Sequence, residues 1–145
     1  WGPKGPLLDS FPHLTKTWQG IVAGKEMYEV YQRSKIVVND YVDTANSQAV
    51  NMRIKEVMGA GSFLLTRFAE NIRLLEDANA LKTFTTEAEC SQLISHYLSH
   101  EEEREQIAAT GYIYARNHFG SSTVMEPMIT AIAEALEKKR TETGL

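Results

Sequence analysis

The sequence predicts an α/β fold, a parallel sheet flanked by helices on both faces. Two observations carry this. Short apolar runs alternate along the chain with segments of helical periodicity, and each connection between runs is long enough to hold a crossover helix. The runs themselves are short and rich in apolar residues, as strands covered on both faces are.

Taken in order, residues 1–17 combine Gly and Pro with scattered aromatics and read as irregular structure. Gln19 to Val22 has the makings of a very short strand. After Gly24, the residues Met27, Val30, Tyr31 and Ser34 recur at helical spacing. Lys35-Ile36-Val37-Val38-Asn39 is a β-branched run typical of a strand buried on both faces. Asp40 to Gln48 is a polar loop, and Asn46 or Ser47 is positioned to cap a helix that runs to about Met58. Gly59 or Gly61 ends that helix. Ser62 to Thr66 is a second strand, Ala69 to Asp77 a short helix carrying Ile72, Leu75 and Glu76, and Leu81 to Thr85 a third strand.

Thr86-Glu87-Ala88-Glu89 is a capping box. Behind it Cys90, Leu93, Ile94, Tyr97 and Leu98 form an apolar stripe. Ser99-His100-Glu101-Glu102 reads as a second capping box, and its glutamates suit the positive end of the helix they open. The last helix begins at Ser122 or Thr123, with Pro127 in or near its first turn. Met125, Met128, Ile129, Ile132, Ala133 and Leu136 form its expected buried side, and the tail KKRTETGL is expected to fray.

Composition narrows the function. The chain has 145 residues, 43% hydrophobic and 23% charged, which fits one globular domain with a real core. A net charge of −4 argues against a nucleic-acid-binding face, which needs basic residues. No apolar run approaches the roughly 20 residues that span a bilayer. The opening WGPKGPLLDS has neither a charged n-region nor an apolar h-region, and with a single cysteine in the chain a reducing cytoplasm is the expected location. Cys90 is the single cysteine, which excludes an internal disulfide and a cysteine-based zinc site. The first residue is Trp1, and the expectation is a fragment of a larger protein.

The segment from Val50 to Thr66 is the most informative. It reads as a helix with a polar start and a glycine-marked stop, followed at once by a buried strand. Arg53 and Glu56, three residues apart, project from one side of that helix. A helix start offers backbone N–H groups and positive potential to a phosphate. A carboxylate further along accepts hydrogen bonds from sugar hydroxyls. In an open parallel sheet, ligands sit beyond the carboxyl ends of the strands. Together these suggest nucleotide binding, with amides near Asn51 and Met52 receiving phosphate oxygens and Glu56 facing a ribose.

Other chemistry-bearing residues read more plainly. His96 and His100 share a helix face at a four-residue spacing that suits a metal, yet no third ligand is apparent, so a solvated or capping role is expected. Cys90 fits the core stripe as an inert thiol.

NMRIKEVMGAGSFLLT resembles the nucleotide-sugar-binding segment of GT-B-type glycosyltransferases, in the group that includes the spore maturation protein CgeB-like enzymes. There an N-x-R-x-x-E segment precedes a Gly-containing turn and a buried strand. WQGIVAGKEMYEVYQRSKIVVND is similar to the stretch that precedes it in those proteins. TEAECSQLISHYLSHEEEREQIAATGYIYARNHF resembles their closing helices, with E-E-R-x-x-I-A-x-x-G. The resemblance covers about residues 18 to 138.

The resemblance implies the Rossmann-like C-terminal half of a two-domain GT-B enzyme, incomplete here at its N-terminus. This half holds a nucleoside diphosphate sugar, while an N-terminal acceptor domain of the same protein supplies the catalytic base. It implies ribose binding by Glu56, a diphosphate cradle at Asn51 and Met52 with Arg53 adding charge, and backbone contacts to the base from Ile21 and Val22. It implies a hexosyltransferase-like activity needing no metal, with the fragment alone expected to be inactive. One departure stands out: many relatives carry two glutamates separated by seven residues, and here the earlier position holds Gln48, which hydrogen-bonds a sugar hydroxyl without negative charge. The competing expectation is a non-catalytic Rossmann-like interaction module that has lost donor binding.

Overall fold

The computed structural model describes residues 10–41 and 52–143. Along the chain come α1 (Pro12–Thr17), α2 (Gly24–Arg33), β1 (Val37–Asn39), α3 (Arg53–Gly59) and β2 (Leu64–Arg67). A 3-10 turn at Glu70–Ile72 leads into α4 (Arg73–Asp77), and β3 (Lys82–Phe84), α5 (Glu87–Ser99), α6 (Glu101–His118) and α7 (Ser121–Thr143) follow. The strands form a wholly parallel sheet in the order β1-β2-β3, with α3 and α4 in its two crossover connections. This is the predicted α/β, Rossmann-like arrangement.

Alternation along the strands builds two cores. Leu64 and Leu81 face one side, where they meet Ile54, Val57 and Met58 of α3, Ile72, Leu75 and Tyr31. Phe63, Leu65 and Phe84 face the other, against Tyr97 of α5 and Ile107 and Ala108 of α6. Helix α6 serves both, because Ala115 near its end joins the first core. It approaches the chain most closely at Gly111, where an added Cβ would lie 2.4 Å from the Ala80 carbonyl oxygen. The α3–β2 turn needs Gly61 for a second reason. Its φ is +73°, a left-handed backbone that disfavours side chains.

Several expectations change. Residues Pro12–Thr17 form a helix, α1, where irregular structure was expected, and a proline in the first turn explains how. Gln19 to Val22 forms no strand, and Ile21 is exposed. β1 is not covered on both faces, because Val38 is 48% exposed at the edge of the described sheet. Leu98 lies outside the α5 stripe, exposed. The Thr86 hydroxyl caps α5 by accepting from Glu89 N–H at 3.2 Å, and the Glu89 carboxylate accepts from the Thr86 backbone as the box expects, while also reaching one residue further back to the Thr85 N–H and hydroxyl at 2.7 Å. The second box does not form. Ser99 is the last residue of α5, its hydroxyl donates to His96 O at 2.8 Å, and α6 starts after His100.

The largest correction concerns α7. Met125, Met128, Ile129, Ile132, Ala133 and Leu136 are exposed, because among the described residues nothing packs over that stripe. Pro127 lies inside the helix, past its first turn, and the helix continues through Lys138 and Arg140 rather than fraying there. Residues Asn46, Ser47, Gln48 and Asn51, expected to cap the helix that follows or contact a ligand, lie outside the described residues.

Candidate functional site

A polar row crosses the carboxyl end of the sheet. Asn39, Thr66 and Thr83 stand in register on the three strands. Each interrupts an otherwise apolar or mixed run near the end of its strand. Asn39 Nδ2 donates to Thr66 Oγ1 at 2.9 Å, and the Tyr41 hydroxyl lies 3.0 Å from the same oxygen. Thr83 Oγ1 donates to Glu76 Oε1 of α4 at 2.5 Å. Thr66 is fully buried and the other two nearly so. Burying polar groups is tolerable here because they satisfy one another. Burial also pushes the Tyr41 phenol above its ordinary pKa, against the opposing hydrogen bond with Thr66.

The strand tips are tied together by Arg67. Its Nε and Nη2 engage both carboxylate oxygens of Asp40 at 2.6 and 2.9 Å, Nη1 donates to Thr85 O at 3.2 Å, and Glu87 Oε1 lies 3.4 Å away. The guanidinium also rests over the Phe84 ring. The hydrogen bond from Arg67 holds the Asp40 carboxyl below the usual carboxylate range. Glu87, at the start of α5, is likewise held low by backbone amide donation and then by Arg67.

Helix α3 descends beside this row and carries the predicted pair. Arg53 Nε lies 3.7 Å from Glu56 Oε2, as the i,i+3 spacing predicts. A third group comes from α2. The hydroxyl of Tyr31, a residue only 4% exposed, donates to the same Oε2 at 3.4 Å. The Arg53 guanidinium sits 5.5 Å from the centroid of the Tyr31 ring. Burial raises the phenol pKa of Tyr31, Arg53 opposes that and the Glu56 charge reinforces it, so the hydroxyl stays a donor at neutral pH. Glu56 is thus a half-buried carboxylate with its side chain 21% exposed and one oxygen engaged. It lines an open groove of about 400 Å³ with Tyr28, Met52, Lys55, Arg116 and Phe119. Met52 precedes α3, is exposed, and makes no side-chain cap.

Ile21 and Val22 lie between α1 and α2 in an unpaired stretch, so the strand-end position expected for them is not formed. Sequence reasoning named Arg53 and Glu56 but read Tyr31 only as part of a core stripe, and Arg67 not at all. The signal for the strand-end row was present: a hydrogen-bonding residue near the end of each strand.

His96 and His100 stack with centroids 3.9 Å apart. His96 Nε2 meets Glu103 Oε2 at 2.8 Å, and His100 Nδ1 lies 2.8 Å from His96 O, so the pair braces the α5–α6 corner. Among the described residues no group of three or more His, Cys, Asp or Glu is arranged to hold a metal. A second cavity, about 270 Å³ and lined by Lys35, Ser62 and Arg104, opens at the amino ends of the strands. That is the edge opposite to the one where parallel sheets bind ligands.

A family model described as glycosyl transferase-like matches residues 1–130. The chain belongs to the glycosyl transferase-like family. The match spans the sheet, the Arg53–Glu56 pair and all helices through the first part of α7. Comparison with curated proteins and with solved structures finds no match. No described helix of this glycosyl transferase-like chain is long and apolar enough to cross a membrane.

Proposed function

We propose that the chain is the donor-binding part of a cytoplasmic GT-B-type glycosyltransferase that takes a sugar from a nucleoside diphosphate sugar. The observation that carries this is Glu56, a half-buried carboxylate in a glycosyl transferase-like chain, with Oε2 engaged by Tyr31 and Arg53 beside an open groove. In this reading Glu56 accepts hydrogen bonds from the ribose diol. Arg53 and backbone amides near Asn51 and Met52 receive the diphosphate, and Gln48 hydrogen-bonds the sugar. Ile21 and Val22 meet the base through their backbone.

The acceptor hydroxyl attacks the anomeric carbon as the bond to the diphosphate oxygen breaks. The positive charge of Arg53 stabilises the negative charge that develops on the leaving group. No metal is needed for that role, and the chain contains no Asp-x-Asp motif. An N-terminal domain of the same protein binds the acceptor and supplies the catalytic base that takes the proton of its attacking hydroxyl. The N-x-R-x-x-E segment favours a member of the CgeB-like group.

Titration with UDP, UDP-sugars and GDP-sugars tests the reading. Hydrogen bonds to charged groups predict that Glu56→Ala and Arg53→Ala each weaken binding about tenfold or more. Equal affinity in the parent chain and both variants overturns the assignment.

A further inference from the structure

We infer that Tyr31 is a positioning residue, which orients the Glu56 carboxylate for ribose recognition through a hydrogen bond from a different helix. This rests on the ribose role proposed for Glu56. Tyr31 is 4% exposed, and its ring packs in the core formed by Ile54, Val57 and Leu64. A ring so held has little freedom, so its hydroxyl is a fixed point. That hydroxyl donates to Glu56 Oε2 at 3.4 Å across the boundary between α2 and α3. Arg53 reinforces the same geometry from α3 itself, with Nε 3.7 Å from Oε2 and its guanidinium over the Tyr31 ring.

The consequence is selective. Both contacts fall on Oε2, so Oε1 is the oxygen offered to a ligand. An untethered glutamate on a helix surface samples several rotamers and loses that freedom on binding. A carboxylate already held by packing and a hydrogen bond has less to lose, and its accepting oxygen starts near the productive geometry. The inference therefore concerns recognition of the ribose hydroxyls, not affinity for the nucleotide in general.

The test is a ligand ratio measured within each variant of the full-length chain. UDP, CDP, ADP and GDP are titrated calorimetrically, and the tightest binder is compared with its 2′-deoxy form. The parent is expected to prefer the ribonucleotide about tenfold or more, the size of a hydrogen bond to a charged acceptor. Glu56→Gln is expected to reduce that preference sharply. Tyr31→Phe, which keeps the buried ring, is expected to reduce it to about threefold or less. Tyr31→Leu is a second variant without a hydroxyl.

The ratio does not depend on the fraction of correctly folded protein, so a purely structural role for Tyr31 leaves it unchanged. Two failures are distinguishable. If no nucleoside diphosphate binds the parent, or if Glu56→Gln keeps the preference, the ribose role of Glu56 falls and the inference falls with it. If Glu56→Gln loses the preference while both Tyr31 variants keep it, Glu56 stands and the positioning role of Tyr31 is wrong.

Discussion

Tyr31 and Glu56 lie 25 residues apart in sequence, yet the phenol hydroxyl of one donates to the carboxylate of the other at 3.4 Å. The contact joins two helices that pack on the same face of the sheet. Tyr31 therefore has two separable roles, a ring that fills the core and a hydroxyl that reaches the candidate site. Removing only the hydroxyl is expected to cost about 0.5–1.5 kcal/mol, the net worth of one hydrogen bond. Removing the ring in Tyr31→Ala is expected to cost about 3–5 kcal/mol, as for other large aromatic truncations. Urea unfolding of the two variants checks the gap, and equal losses refute the separation.

The polar row beneath the strand tips offers a second measurement. Thr66 is fully buried and its hydroxyl is shared by Asn39 and Tyr41. Thr66→Val keeps the shape but removes that hydroxyl, which leaves buried polar neighbours short of a partner. The expected loss is about 1–3 kcal/mol. Because Asn39 and Thr66 share one interaction, the double variant with Asn39→Leu is expected to lose less than the sum of the single changes. Additive losses in denaturant unfolding argue that the row does not act as a unit.

Stability at the strand tips is expected to depend on pH through Asp40. The hydrogen bond from Arg67 lowers the folded-state pKa of Asp40 below its ordinary value of 3.8. A lowered carboxyl pKa means the unfolded chain binds the proton more readily. The stabilisation is thus fully present well above pH 3.8 and is lost as pH falls through the lower folded-state value. Asp40→Asn is expected to lower the melting temperature at pH 7 and to lose that difference in acid. Because both side chains are partly exposed, the effect is modest and weakens with salt. A melting difference that stays constant from pH 7 to strongly acidic conditions contradicts this sign.

Much of this fold is legible in the sequence. Each strand lies within or overlaps a short apolar run, and Arg53 and Glu56 meet as their helical spacing requires. What escapes is whatever depends on a distant partner. Tyr31 reads as core from its periodicity, and only the packing of α2 on α3 reveals its hydroxyl's role. The stripe from Met125 to Leu136 shows that one side of α7 is apolar, but periodicity does not say whether the covering surface is near at hand. Ser99 has the residue type of a helix cap, yet the preceding helix reaches it first and its hydroxyl turns back to His96 O. The α1 proline reads as a breaker, although in a first turn it fixes the backbone angle a helix needs.

Gly111 concentrates the same lesson at one position. It lies inside α6, where glycine lowers helix stability by about 1 kcal/mol relative to alanine. By propensity alone, Gly111→Ala stabilises the chain. The packing predicts the opposite, because the new Cβ would fall 2.4 Å from the Ala80 carbonyl oxygen and 3.6 Å from Met58 Cγ. The first contact is with backbone just before β3, which has no rotamer to move out of the way. Helix α6 would have to lift from the sheet edge, disturbing its contact with α3. Overpacking of this kind typically costs about 1–3 kcal/mol, enough to outweigh the gain in helix propensity. Urea unfolding decides between the two effects: a lower midpoint for Gly111→Ala supports the close approach of α6, and a higher one shows that propensity wins and that the helix sits further from Ala80.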